Sequence, residues 1–183
     1  MNGRKKIAIA SLVAAGLSCS SYLYAQDMMF GTPADVDYAE QLWSAMVDKG
    51  LAGPGATHSI LTEGTEPHGL FEVFYSSASV SGHTGTMLVK RNYGFPEKTG
   101  EEVAEDYDGN IRATTVMFRR EAGYDPDNDD WFWAMFMPDG TVGQNEMGMS
   151  LAGQVAKGMD VGCIACHTNA EGDDYVFTSN AVN

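Results

Sequence analysis

Three kinds of residue are scarce in this chain, and each scarcity excludes a class of protein. Its 183 residues include only three cysteines, Cys19, Cys163 and Cys166. So few thiols exclude a disulfide-stapled scaffold, and no second close cysteine pair is present to complete a zinc site. Basic residues are also few, 11 against 25 acidic ones, which gives a formal net charge of −14. Such a charge repels nucleic acid and anionic lipid, so we expect neither as a partner.

Long apolar runs are missing as well. The longest, residues 7–17, follows three basic residues and is shorter than the roughly 20 residues that a transmembrane helix needs. This layout predicts a secretory signal peptide over residues 1–25, cleaved after Ala25, and one domain over residues 26–183. We therefore expect a periplasmic protein without a transmembrane span. Cys19 leaves a lipid-anchored form open as the alternative.

Two of the cysteines lie in a Cys-x-x-Cys-His pattern near the C-terminus, Cys163-Ile164-Ala165-Cys166-His167. In an exported protein this pattern is typical of one covalently attached c-type haem. We expect Cys163 and Cys166 to bond to the haem and His167 to bind its iron. A redox disulfide is the alternative, but a thioredoxin-like pair follows an early strand.

Hydrophobic periodicity predicts an α+β fold, mainly an antiparallel β-sheet with an N-terminal helix and a short C-terminal helix leading to the haem motif. The first helix begins at Pro33, after Thr32 as its cap, and ends at Gly50. Alternating patterns predict four strands, over residues 70–77, 86–93, 111–120 and 131–137. The first strand places Phe71, Val73 and Tyr75 on one face. The short helix is predicted over residues 150–160.

The second face of the iron is not decided by the sequence. No methionine follows His167, although ten lie between residue 26 and the motif, and His58, His68 and His83 are further candidates. An open face would favour a small ligand or substrate over pure electron transfer. The acidic residues 125–130 superficially resemble a calcium loop. However, the sixth position is Asp130 instead of glycine and the twelfth is Phe136 instead of glutamate, so we interpret this stretch as a solvated turn.

Three stretches together resemble the cytochrome P-460 family, which includes the β-sheet cytochromes called cytochrome c′-beta. They are VKRNYG at residues 89–94, GYDPDNDDWFWAMFMPDG at 123–140 and GCIACHTNAEGDDYVFT at 162–178. The resemblance implies a mainly antiparallel β fold that carries one haem c, often as a homodimer. It also implies that the iron is five-coordinate through His167.

The resemblance further implies two kinds of chemistry. Hydroxylamine-oxidising members bond a lysine side chain to the porphyrin rim, and Lys90 is the residue to which we carry this lysine over. The strand pattern alone leaves Lys90 on either face, where it would otherwise be an ordinary surface lysine. Members of the c′-beta branch lack the bond, carry phenylalanines over the iron and bind nitric oxide. Phe95 is our candidate for such a distal aromatic, with Phe74 and Phe118 as alternatives.

The sequence thus predicts a cytochrome that acts on a small nitrogen-oxide ligand or substrate. The first hypothesis is oxidation of hydroxylamine to nitrous oxide or nitrite. The alternatives are nitric oxide binding without turnover and simple electron transfer. A redox partner protein could meet the acidic surface through basic patches, although solubility alone also explains the acidity. A distal carboxylate would accept protons, and the candidates are Glu97, Glu101, Glu102, Glu105 and Asp106.

Overall fold

The computed structural model describes residues 30–64, 68–94, 98–171 and 174–177. Its centre is a six-stranded antiparallel sheet in which each strand pairs with the next in chain order. The strands are β1 (Thr62–Glu63), β2 (Leu70–Val80), β3 (His83–Gly94), β4 (Ala113–Arg119), β5 (Trp131–Phe136) and β6 (Ala152–Gly153). The helices are α1 (Pro33–Asp48), α2 (Gly100–Glu105), α3 (Tyr107–Asn110) and α4 (Cys163–His167), with a 3₁₀ turn at Pro126–Asn128. The predicted α+β fold is confirmed.

Helix α1 begins where the sequence predicts. The Thr32 side chain accepts a hydrogen bond from the Asp35 backbone N–H, and the Asp35 carboxylate accepts one from the Thr32 backbone N–H. This capping box satisfies two amide groups that the first turn leaves without helical partners. The helix then buries Tyr38, Leu42 and Met46 against one face of the sheet.

The hairpin of β2 and β3 forms the longest pairing of the sheet, and its register places Val73 opposite Lys90. Its tight turn consists of Ser81 and Gly82, both with positive φ (49° and 83°), as a two-residue hairpin turn of this twist requires. Because side chains alternate along a strand, β3 serves both faces of the sheet. Met87 and Val89 pack in the core that α1 covers, whereas Leu88 and Lys90 face the opposite side.

Several elements differ from the sequence prediction, which gave four strands where the described residues form six: β1, β6 and α3 were not predicted. Residues 150–160 are not helical, because Gly153, Ala156 and Gly158 have positive φ (97°, 65° and 70°), which a right-handed helix cannot contain. The short C-terminal helix is instead α4, the Cys-x-x-Cys-His motif itself. Conversely, α2 was not predicted, although Thr99 and Glu102 form a capping box at its start.

Among the residues that the structure describes, no helix is both long enough and apolar enough to cross a membrane.

Candidate haem site

A cavity of about 680 Å³ lies against the sheet, on the face opposite α1. Its volume falls within the range of about 300–1,000 Å³ that is typical of ligand and cofactor sites. The walls are mostly apolar, and the side chains of Cys163, Cys166 and His167 all reach it. Other lining residues come from the sheet and from the segments around the motif: Ile60, His68, Phe71, Val73, Tyr75, Leu88, Lys90, Thr115, Met117, Trp133, Leu151, Val155, Met159, Val161, Val176 and Phe177.

Helix α4 is anchored at the cavity wall by its own sequence. Ile164 is buried in an apolar cluster with Trp133. Gly162 precedes the helix at φ 128°, and a Cβ atom there would lie 2.2 Å from the Cβ of Ala156. Glycine is therefore required immediately before Cys163. Burial raises the pKa of the Cys163 thiol to about 11, so it is a neutral thiol until it reacts.

The imidazole of His167 is held in one tautomer. Its Nδ1 lies 2.7 Å from the backbone carbonyl oxygen of Tyr175, which can only accept, so Nδ1 carries the proton. The lone pair of Nε2 is consequently free to bind a metal. Burial lowers the pKa of His167, which keeps the ring neutral as a ligand must be. The indole of Trp133 supports the ring edge-on, with 4.8 Å between ring centroids.

Lys90 faces the same cavity, which answers the question that the strand pattern left open. Its Nζ lies 4.9 Å from the centre of the Phe71 ring. Within the described residues it takes part in no ion pair. Burial lowers the pKa of Lys90 to about 8, so an appreciable fraction of the amine is neutral near neutral pH. A neutral amine is a nucleophile and a hydrogen-bond acceptor, whereas an ammonium group is neither.

His68 is a second imidazole at the cavity, 6.4 Å from His167 between ring centroids. Its Nδ1 lies 3.3 Å from the Asn92 side-chain oxygen. Asn92 is oriented by its amide nitrogen, which lies near the Lys90 carbonyl and the Thr115 hydroxyl, at 3.3 and 3.4 Å. This orientation directs an acceptor at Nδ1, so Nε2 of His68 is left without a proton. Burial lowers the pKa of His68 to about 4.

A family model, Cytochrome P460, matches residues 74–178, which is more than half of the chain. This chain belongs to the cytochrome P460 family. No curated protein matches the chain, and no solved structure does so. Cytochrome P460 proteins are haem-binding cytochromes, so the predicted haem cofactor is confirmed at the level of the family.

The residues present in this cytochrome P460 protein fit a covalent haem. An apolar cavity of suitable volume has two thiols on one short helix. The adjacent His167 has its Nδ1 proton engaged and its Nε2 free. A planar apolar macrocycle with one axial nitrogen ligand needs these same features.

The predicted distal residues that the structure describes do not line the cavity. Phe95 and Glu97 lie outside the described residues. Phe118 is buried in the core beneath α1, and Phe74 packs against that core, so these two alternatives face away from the haem motif. The cavity contains Phe71 and Phe177 instead. The other candidate carboxylates belong to the segment of α2 and α3 and are absent from the described lining of the cavity: Glu101, Glu102, Glu105 and Asp106.

The fold also reduces the number of histidines and methionines that could bind the second face of the iron. His58 contacts Glu72 and Arg91, and His83 contacts the Arg119 carbonyl, so His68 is the one of the three at the cavity. Of the methionines among the described residues, Met117 and Met159 line the cavity. Met117 lies directly opposite Leu88 on β3 and Trp133 on β5, so the three side chains share one face of the sheet. The position of Met117 at the cavity therefore depends on the strand register, which the sequence does not give.

Proposed function

We propose that this cytochrome P460 protein is a mono-haem c-type cytochrome that oxidises hydroxylamine to nitrous oxide or nitrite. The observation that carries the proposal is the position of Lys90. Its amine shares a cavity with Cys163 and His167 and has no ion-pair partner among the described residues. The family resemblance associates a lysine bonded to the porphyrin rim with hydroxylamine oxidation, and the presence of Lys90 at the cavity supports it as the candidate.

Cys163 and Cys166 would hold the haem through thioether bonds, and Nε2 of His167 would bind its iron. The haem would supply the metal that binds the substrate nitrogen and accepts its electrons. The protein supports this arrangement by keeping His167 neutral and by fixing its tautomer through Tyr175. Trp133 limits rotation of the imidazole by packing against its edge.

Oxidation of hydroxylamine releases protons together with electrons, so the cavity needs a proton acceptor. His68 is the candidate among the described residues, because its Nδ1 is engaged with Asn92 and its Nε2 carries a lone pair; its lowered pKa of about 4 makes it a base as weak as a carboxylate, which passes a proton on instead of holding it. Apolar side chains such as Val73 and Leu88 line the same cavity. His68 replaces the carboxylates of α2 and α3 as our proposed acceptor.

The test is the mass of the haem peptide from digested holoprotein. We expect a peptide containing Lys90 to be joined through the haem to the peptide containing Cys163 and Cys166. Lys90→Met should keep the two thioether bonds, lose the third link and lose hydroxylamine-dependent reduction of an electron acceptor. Lys49→Met is the matched control, because Lys49 is exposed at the end of α1. A wild-type haem peptide with thioether bonds alone would contradict the role of Lys90.

A nitric oxide binding protein without turnover is the second candidate. The observation that favours it is the aromatic and aliphatic wall of Phe71, Val73 and Phe177, which suits a small, weakly polar ligand. This candidate predicts a haem peptide without the lysine link, binding of nitric oxide, and no acceptor reduction by hydroxylamine. The three results come from one preparation.

A simple electron carrier needs a second axial ligand. The described residues that could supply one from the cavity wall are His68, Met117 and Met159. We expect a ferric spectrum without a second protein ligand, unchanged in Met117→Leu and Met159→Leu. A six-coordinate low-spin spectrum that becomes high-spin in one of these variants, or in His68→Gln, would favour the carrier.

We also propose a periplasmic location, export by the signal peptide of residues 1–25, and a redox partner protein. The signal peptide lies outside the described residues. N-terminal sequencing of protein from the periplasmic fraction tests export, and a mature chain that begins at Gln26 is expected. Sedimentation of the holoprotein tests the homodimer that the family resemblance implies.

A further inference from the structure

We propose that residues 125–130, here called the clamp loop, hold the chain on both sides of the haem motif. Through Tyr175, the clamp loop would set how strongly His167 donates electrons to the iron. This inference rests on the proposed function in one respect, that His167 is the iron ligand. The clamp loop would then have a structural role, which differs from both calcium binding and a solvated turn.

Downstream of the motif, the contact runs through one tyrosine. The Tyr175 hydroxyl donates to the Asp127 carbonyl oxygen at 2.9 Å, with the side-chain oxygen of Asn128 as a second acceptor at 3.2 Å. The backbone carbonyl of the same residue accepts the hydrogen bond from Nδ1 of His167. Tyr175 therefore connects the clamp loop directly to the imidazole.

The backbone of Tyr175 is strained, which indicates that its position is imposed. Its φ is 62°, a left-handed conformation that bulky residues rarely adopt. Neighbouring contacts maintain it: the Trp131 indole N–H donates to the Asp174 carbonyl at 2.9 Å, and the Val176 N–H donates to the Asp174 carboxylate at 3.0 Å. Anchors on both sides of Tyr175 keep its carbonyl directed at His167.

Upstream of the motif, Lys157 forms an ion pair with Asp125, whose side chain is fully buried. The Asn128 amide also donates to the Asp125 carboxylate at 2.8 Å, which orients the Asn128 oxygen toward Tyr175. The segments before Cys163 and after His167 thus meet on the same loop. The sequence interpretation of this loop as solvated was wrong for Asp125 and Asn128, which are both buried.

A hydrogen bond from Nδ1 makes an imidazole a stronger electron donor through Nε2, and this stabilises the more oxidised metal. When the Tyr175 hydroxyl is removed, its carbonyl is free to relax from the strained position, and the bond to His167 weakens. The ferrous state then becomes more favourable relative to the ferric state. The consequence is a higher reduction potential, without any change of iron ligand.

The experiment compares wild-type holoprotein with Tyr175→Phe, which keeps the ring and removes the hydroxyl. We expect the ratio of ferrous to ferric protein at a given potential to rise roughly tenfold, which is about 59 mV for a one-electron couple. We also expect the iron–histidine stretching frequency of the ferrous protein to fall. Tyr38→Phe is the matched control, because the Tyr38 hydroxyl is buried without a hydrogen-bond partner in the described part of the chain.

Asn128→Ala provides a second variant if Tyr175→Phe does not accumulate. It removes one acceptor of the Tyr175 hydroxyl, so the potential should shift in the same direction by a smaller amount. Loaded variants with the wild-type potential and stretching frequency would overturn the inference, even if haem content or stability fell. A wild-type protein without an iron–histidine vibration would instead overturn the proposed ligation by His167.

Discussion

Separating the buried Arg91–Glu72 pair should destabilise the protein more than any surface charge change. The two residues are direct cross-strand neighbours on β3 and β2, with the Arg91 Nη2 2.5 Å from a Glu72 carboxylate oxygen. Glu72 is 0% exposed and Arg91 is 2% exposed. Arg91→Met leaves a carboxylate in the core, where Tyr93 and the Ser59 N–H still donate to it but its guanidinium partner is lost. We expect a loss of about 3–5 kcal/mol in the free energy of unfolding.

A double-mutant cycle separates this electrostatic effect from lost packing. Glu72→Gln alone strands the Arg91 guanidinium, and we expect a cost comparable to that of Arg91→Met. The double variant buries no unpaired charge, so it should be more stable than Arg91→Met alone. The departure from additivity should be of the order of 1–3 kcal/mol.

Urea unfolding of the holoprotein measures the effect. At a denaturant slope near 2 kcal/mol per M, a loss of 4 kcal/mol lowers the midpoint by roughly 2 M. The same pair also holds the segment that leads to the cavity wall, because Arg91 donates to the Thr57 carbonyl and Glu72 accepts from the N–H of Ser59, which lines the cavity. The haem absorption spectrum should therefore shift in Arg91→Met. A loss below about 1 kcal/mol, or additive single changes, would refute this reasoning.

Three smaller predictions follow from individual contacts. Hydrogen bonding to Arg120 lowers the pKa of Glu121 from 4.5 to about 2. Since the folded-state pKa is depressed, Glu121→Gln should cost about 0–1 kcal/mol above pH 4.5, and the cost should vanish as the pH falls toward 2; urea titrations at several pH values test this. Gly85→Ala should lower the thermal midpoint and disturb the sheet in circular dichroism, because its Cβ would lie 2.0 Å from the Arg119 carbonyl oxygen; an unchanged midpoint would contradict the strand spacing. Thr32→Ala should cost about 1 kcal/mol in urea unfolding, and Thr32→Ser should restore most of it.

Local patterns were sufficient for the first helix and the four main strands of this fold. The cap at Thr32 and the stop at Gly50 predicted α1 to within two residues. Alternation predicted the four main strands, and Phe71, Val73 and Tyr75 do share the cavity face. Each of these signals depends only on residues that are close together in the sequence.

The arrangement of the site was less accessible, because it depends on contacts between distant segments. Lys90 could be assigned to a face only after the position of β3 between β2 and β4, and the face of the sheet that α1 covers, were known. His68 lies just before β2 and becomes significant through Asn92, which is on β3. The partner of His167 is a backbone carbonyl, which every residue has and which therefore leaves no signature in the sequence.

Two further predictions were wrong, and both concern turn segments. The pattern over residues 150–160 suited a short helix, but Gly153, Ala156 and Gly158 all adopt positive φ. The acidic composition of residues 125–130 suggested exposure, whereas a single ion pair with Lys157 allows Asp125 to be buried. Composition records the average behaviour of a residue type, and a specific partner overrides it.

The alternation of β3 makes this strand intolerant of changes in length. Lys90 and Arg91 are adjacent, yet Lys90 faces the cavity and Arg91 forms the buried ion pair with Glu72 on the other face of the sheet. Deleting one residue at the Ser81–Gly82 end would rotate every following side chain to the opposite face. A guanidinium would then replace the amine beside Cys163, and Glu72 would lose its partner. β3 should therefore tolerate substitutions far more readily than insertions or deletions. We expect differences in length among related chains to lie in the segments that connect the strands.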